Sequence, residues 1–182
     1  MNINSPVDKQ SPEYQKNLVK SARTTLLVAV LFTVLNVVLL IIGSNRYFLY
    51  SATIPYYLTF FGYVFDHMMV GTYTLTGLSM AVVPIAALAL CWFMSKKDDR
   101  WLTAATVVFG LDTAAMLGLL LWAGDLSGSL LDIVFHGWVL ICLIRGVKAC
   151  KWLRNVPAEP VMNEEIDQEE VIREAEDIPT NV

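Results

Sequence analysis

Charged residues are scarce in this chain, and that scarcity excludes an ordinary soluble domain. Of its 182 residues, 16% are charged and 55% are hydrophobic, whereas soluble domains carry about 25% charged residues. The mean hydropathy of +0.53 points in the same direction. The sequence therefore predicts a protein whose main solvent is the lipid bilayer.

Histidine and cysteine are also few, which limits metal and disulfide chemistry. Only two histidines occur, and the sequence has no His-Glu-x-x-His motif. The three cysteines, Cys91, Cys142 and Cys150, are an odd number, and none lies in a segment that we place outside the cell, so we expect no disulfide framework. There is no P-loop and no glycine fingerprint for a dinucleotide. We therefore predict no bound metal, no cofactor and no catalytic residue.

Negative charge is concentrated at the C-terminal end. Residues 157–182 contain nine acidic residues and one basic residue, a net charge of −8. The other 156 residues carry 12 basic and 8 acidic residues, a net charge of +4, so the total of −4 hides two regions of opposite sign. We predict an acidic cytoplasmic tail over 155–182, of a composition that is typical of disorder.

Four long apolar runs dominate the rest of the chain. Each is long enough to cross about 30 Å of hydrocarbon as a helix. The predicted spans are about 24–43, 74–94, 101–123 and 129–147. These runs predict an all-α, multi-pass integral membrane protein with a four-helix transmembrane bundle over 24–154, which follows a cytoplasmic N-terminal arm over 1–23.

The aromatic segment between the first two spans, residues 46–73, is harder to place. Residues 47–65 are apolar enough to suggest a fifth span, but that span would move seven of the eleven cytoplasmic basic residues outside the tail to the outer side. With four spans only Arg46 lies outside, which agrees with the excess of Lys and Arg in cytoplasmic loops. We therefore predict an external helix that lies at the interface or re-enters part-way, with both termini in the cytoplasm of a cell-membrane protein.

Four polar residues fall inside the predicted spans, where they are costly and therefore informative. They are Asn36, Asp112, Asp132 and His136. Asp112 and His136 fall near the middle of the third and fourth spans. Asp132 precedes His136 by four residues, which places both on one helix face. We expect these groups to meet in one buried cluster, in which an Asp112–His136 pair holds two helices together.

Two further groups of residues suggest contacts outside the cluster. The third span carries a series of small residues that would let another helix approach closely, namely Gly110, Ala114 and Gly118. The cytoplasmic end of the fourth span carries basic residues suited to anionic lipid headgroups, namely Arg145, Lys148, Lys151 and Arg154.

The sequence leaves three functions open. The first is a small non-enzymatic membrane subunit or accessory protein, with the lipid bilayer and another membrane protein or a second copy of the chain as partners, and no nucleic acid. The second is a transporter or ion-pathway component that uses the Asp/His cluster. The third is an intramembrane enzyme, or a metal site that adds Asp66 or His67 to the cluster.

Overall fold

The computed structural model describes residues 11–44, 46–69, 71–124 and 129–156, and these form five α-helices and no strand. The helices are α1 (Pro12–Ile41), α2 (Thr53–Met68), α3 (Tyr73–Met94), α4 (Arg100–Ala123) and α5 (Leu130–Asn155). The predicted all-helical class is confirmed. Residues 1–10 of the predicted arm, residues 125–128 and residues 157–182 of the predicted tail lie outside the described part.

Four of the five helices, α1, α3, α4 and α5, are long and apolar enough to cross a membrane. The prediction of four such helices, rather than five, is confirmed, because the 16-residue α2 is not one of them. Large apolar side chains also cover the outward faces of the long helices. Val83, Leu111 and Trp122 are 68%, 65% and 86% exposed, which is the distribution that a lipid-facing surface requires.

The ends of α1 follow from its local sequence. Ser11 occupies the N-cap position, where its hydroxyl accepts a hydrogen bond from the backbone N–H of Tyr14 at 3.2 Å, and Pro12 follows at the first helical position. Gly43, just beyond the other end, adopts a positive φ of 73°. That left-handed conformation suits glycine and ends the helix.

Helices α2 and α3 form a closely packed hairpin. Asp66, near the end of α2, accepts hydrogen bonds from the backbone N–H groups of Tyr73 and Thr74 at 2.6 and 2.8 Å, and so satisfies the start of α3. Further along the pair, Gly62 lies against the α3 backbone: a Cβ built on Gly62 would be 3.2 Å from the Cα of Gly77 and closer still to the carbonyl oxygen of Tyr73. Only a glycine permits this separation.

The other main contact joins α1 to α5. Gly146 of α5 lies against Ala22 of α1 so closely that any side chain at Gly146 would displace Ala22. Arg23, one residue along α1, donates hydrogen bonds to the carbonyl oxygen of Ser95 and to Asp99. These polar contacts attach α1 to the turn between α3 and α4.

The small residues of α4 make no comparable contact within the described residues. A Cβ built on Gly118 would meet no heavy atom within 4 Å, and one built on Gly110 would meet only Leu140, at 3.9 Å. The close approach predicted for Gly110, Ala114 and Gly118 is therefore not seen within the described residues, where the close contacts occur at other glycines.

We expect Gly62→Ala to destabilise the protein, because its methyl group would collide with the α3 backbone rather than with a mobile side chain. Overpacking of this kind costs about 1–3 kcal/mol. Gly118→Ala is the matched control: it is the same substitution inside an apolar helix, but into open space, so its thermal midpoint in detergent should equal or exceed that of the wild type. Equal midpoints for the two variants would contradict the close α2–α3 packing.

We expect the hydrogen bonds between Asp66 and the start of α3 to weaken in acid. Hydrogen bonds from the side chain and backbone of Thr74, and from the backbone of Tyr73, hold the pKa of Asp66 below its usual value. A folded-state pKa that is lowered gives stability that is present above the unfolded pKa of about 4 and is lost as pH falls through the folded pKa. Wild type should therefore melt above Asp66→Asn at pH 6, and the difference should shrink below about pH 4. A difference that is constant with pH would contradict this role.

Candidate functional site

The chain between α1 and α2 turns back against the last third of α1. Asn36 binds it with its whole side-chain amide: the oxygen accepts from the backbone N–H of Phe48 at 2.8 Å, and the nitrogen donates to the carbonyl oxygen of Phe48 and to the hydroxyl of Ser51. One turn earlier, the hydroxyl of Thr33 accepts from the backbone N–H of Ala52 at 2.7 Å. Residues 48–52 are thus fixed against α1 in an irregular conformation.

Helix α2 begins among the long helices, directly opposite Asp112. One carboxylate oxygen of Asp112 accepts from the backbone N–H of Thr53 at 2.8 Å, and the other accepts from the backbone N–H of Ile54 at 2.7 Å. Asp112 lies half-way along α4 and is only 4% exposed. It therefore acts as the cap of a helix 58 and 59 residues away in sequence, and its negative charge faces the positive end of the α2 dipole.

Every backbone donor at the start of α2 is accounted for. A helix leaves its first four N–H groups without an intrahelical partner, and here these belong to positions 52–55. Ala52 donates to Thr33, and Thr53 and Ile54 donate to Asp112. Pro55 has no N–H, so the fourth donor does not exist. The helix can therefore start away from water without a buried unsatisfied donor.

His136 completes the cluster from α5, and its hydrogen bonds fix its tautomer. Its Nδ1 lies 2.9 Å from the backbone carbonyl oxygen of Asp132, and a carbonyl only accepts, so Nδ1 carries a proton. Its Nε2 lies 3.1 Å from the hydroxyl of Thr53 and 3.5 Å from Asp112. The neutral ring can accept from Thr53 at Nε2, and the protonated ring can donate there.

The structure brings three of the four candidate residues to this one region, Asn36, Asp112 and His136, and separates the side chain of the fourth. Asp132 contributes its backbone carbonyl rather than its carboxylate. Its Oδ1 is buried and has no hydrogen-bond partner among the described residues. Asn36 binds the segment just before α2 and Asp112 binds the first turn of α2, so that Asn36 makes no hydrogen bond to Asp112 or His136.

The hydrogen bonds of the cluster are made to the chain itself, and their geometry differs from that of a catalytic triad. Thr53 and His136 form a hydroxyl–imidazole pair, but Asp112 faces the same ring nitrogen as the hydroxyl, whereas a catalytic triad places its carboxylate on the opposite nitrogen. Thr53 and His136 are also 3% and 1% exposed. No group of three His, Cys, Asp or Glu residues that could hold a metal occurs in the described ranges, and Asp66 binds the start of α3 instead.

Sequence reasoning missed the hydroxyl residues of the cluster. Thr33, Ser51 and Thr53 are uncharged and common in apolar helices, so they carry no signal by themselves. Two features together could have indicated them. One is an aspartate inside a span. The other is the sequence Ser-Ala-Thr-Ile-Pro at residues 51–55, because a proline in the first turn is typical of a helix N-terminus.

We expect Asp112→Ala to destabilise the protein, because it leaves the N–H groups of Thr53 and Ile54 without acceptors. The cost should be on the order of 1–2 kcal/mol per lost hydrogen-bonded group. Asp112→Asn should cost less, since its single oxygen can still accept from one N–H. Thermal unfolding in detergent measures the series, with Asp98→Asn, a change at an exposed aspartate in the turn before α4, as the control. The Asp98 carboxylate accepts from the backbone N–H of Arg100, and the asparagine oxygen can do the same. If Asp112→Ala melts with the control, the capping role is wrong.

Comparison of the chain with protein-family models, with curated proteins and with solved structures finds no match. The contacts of the cluster are therefore the basis for assigning a function.

Proposed function

We propose that this protein is a small non-enzymatic membrane subunit or accessory protein, in which four spanning helices hold a re-entrant fifth helix. Its spans are α1, α3, α4 and α5, arranged as a transmembrane bundle, and α2 enters from the outer side. Both termini lie in the cytoplasm of a cell-membrane protein, with the basic ends of the helices at the inner leaflet and an acidic tail beyond them.

The observation that carries the proposal is that Asp112 uses both carboxylate oxygens on the chain's own backbone. Transporters often aim the N-terminus of a broken helix at an anionic substrate near the middle of the bilayer. Here the corresponding position at the start of α2 is already filled by Asp112. A cluster that satisfies its own donors and acceptors supports a structural role rather than the binding of a solute.

The depth of this cluster supports a re-entrant rather than a flat α2. Thr33, Asp112 and His136 fall near the middle of their apolar runs, and all three bind residues 52–54. From there the 16 residues of α2 rise about 24 Å, more than half of a hydrocarbon core of about 30 Å. If α2 stands upright, its far end with Asp66 therefore emerges at the outer surface. If that end stays within the membrane, α2 must tilt.

The predicted partners fit surfaces that the chain leaves uncovered. The face of α4 around Gly110 and Gly118 has open space beside it, which suits a helix of another membrane protein or of a second copy. The headgroup contacts of Arg145, Lys148, Lys151 and Arg154 stay a prediction: all four side chains are exposed, and Arg145 also donates to the hydroxyl of Tyr14. We propose no nucleic-acid partner.

The second candidate, an ion pathway through the Asp/His cluster, is favoured by one observation. A cavity of about 190 Å³ opens beside Thr53, whose hydroxyl contacts His136. Neither Asp112 nor His136 lines this cavity, so Thr53 separates the pair from the cavity.

Reconstitution distinguishes the two candidates. The purified chain in liposomes that contain a pH-sensitive dye should pass protons no faster than empty liposomes under an imposed potential, and purification from native membranes should yield a membrane partner or a second copy at fixed stoichiometry. Proton flux above that of empty liposomes that Asp112→Asn abolishes and Asp98→Asn retains would contradict the structural role and favour the ion pathway.

A further inference from the structure

A polar cavity of about 190 Å³ lies between α2, α4 and α5, next to the cluster but separate from it. One part of its wall is polar and aromatic, and is formed by Tyr47, Thr53, Tyr56, Tyr57, Ser129 and Asp132. The proposed structural role of Asp112 and His136 makes no use of this space. Two residues belong to both: Thr53, whose hydroxyl contacts His136, and Asp132, whose backbone carbonyl does so.

Asp132 is the acidic group of this cavity, and among the described residues it forms no salt bridge, although His136, one turn along α5, acts on its charge. Its Oδ1 is inaccessible and has no hydrogen-bond partner in the part of the chain that the structure describes. Asp132 lies in the first turn of α5, where the positive end of the helix dipole favours the carboxylate. An unpaired carboxylate in a membrane protein is costly, and residues of this kind usually have a partner.

The second feature that would bind a cation is the aromatic wall of Tyr47, Tyr56 and Tyr57. Tyr47 packs edge-on against Tyr56, with ring centroids 5.0 Å apart, and Tyr56 packs edge-on against Tyr57 at 5.8 Å. Aromatic rings attract ammonium groups through their faces, and such rings combined with a carboxylate are suited to substituted ammonium ions. A bare metal ion would instead require several oxygen ligands.

We propose that this cavity binds a small organic cation of the ammonium class, with Asp132 as its counter-ion and Tyr47, Tyr56 and Tyr57 as its aromatic wall. The volume restricts the ligand to a few heavy atoms, because pockets for drug-sized molecules measure about 300–1,000 Å³. The cavity lies toward the α5 start, which we place at the outer side, so the cation would arrive from outside the cell.

One side chain of the protein could compete for the same place. Arg46 lines a neighbouring cavity that shares Tyr47 and Tyr56 with this one. Arg46 forms no salt bridge among the described residues. An experiment must therefore distinguish the binding of a free cation from occupation of the cavity by the Arg46 side chain.

The test uses the full chain in detergent, titrated with tetramethylammonium chloride against sodium chloride at equal ionic strength and followed by calorimetry. Wild type should bind tetramethylammonium in preference to sodium, and Asp132→Asn should weaken binding at least about tenfold, the usual effect of losing a charged partner. Asp98→Asn, the same change at an exposed site, should bind like wild type. Tyr57→Phe should retain binding, and Tyr57→Leu should weaken it.

A second measurement, the thermal stability of the variants without ligand, tests whether Asp132 already has a partner within the chain. Without tetramethylammonium, Asp132→Asn should melt at or above the wild-type temperature, because it removes an unpaired charge. A lower midpoint would show that Asp132 has a partner within the chain, and would overturn the proposal. So would an absence of binding to wild type, equal binding by wild type and Asp132→Asn, or binding that appears only in Arg46→Gln, which would assign the cavity to Arg46.

Discussion

The structure depends on hydrogen-bond acceptors for the backbone N–H groups at the start of α2. Water cannot satisfy these groups among apolar helices, and each unsatisfied group costs several kcal/mol in a hydrocarbon environment. Thr33 supplies one acceptor and Asp112 supplies two. The aspartate is well suited to this position, because one carboxylate matches two adjacent N–H groups and its charge opposes the helix dipole.

This requirement connects helices that are distant in sequence. Asn36 and Thr33 fix the entering segment to α1, Asp112 fixes the helix start to α4, and His136 of α5 contacts both Thr53 and Asp112. At its other end α2 packs on α3 through Gly62 and Gly77. Helix α2 therefore touches, directly or through its entering segment, all four of the long helices. This central position explains why an apolar protein retains an aspartate half-way along α4.

The coarse fold was predictable, because long uncharged runs have few stable alternatives in a membrane. The predicted third span, 101–123, differs from α4 by one residue at its start, and the fourth differs more, since α5 continues to Asn155. The polar residues inside the spans were also visible as candidates. The contact between Asp112 and His136 was predictable as well. The main partners of Asp112 were not, because they are backbone N–H groups, which every residue except proline possesses.

The sequence predicted that helices approach each other closely at small residues, but not at which small residues. Small residues occur in several of the apolar helices, and the regular spacing of Gly110, Ala114 and Gly118 favoured α4. The close contacts form at Gly62, Gly77 and Gly146 instead. The chain also turns before α2. That turn places Tyr50 at a φ of 82°, an uncommon conformation for a tyrosine, and nothing in its sequence indicates it.

The central claim is that Asp112 holds the start of α2 in a place closed to water. Backbone amide hydrogen exchange at Thr53 and Ile54, measured on the full chain in detergent, tests it most directly. The account predicts strong protection of both amides in wild type and in Asp98→Asn, and loss of that protection in Asp112→Ala while the amides in the middle of α5 stay protected. Rapid exchange of Thr53 and Ile54 in wild type, or unchanged protection in Asp112→Ala, would contradict it.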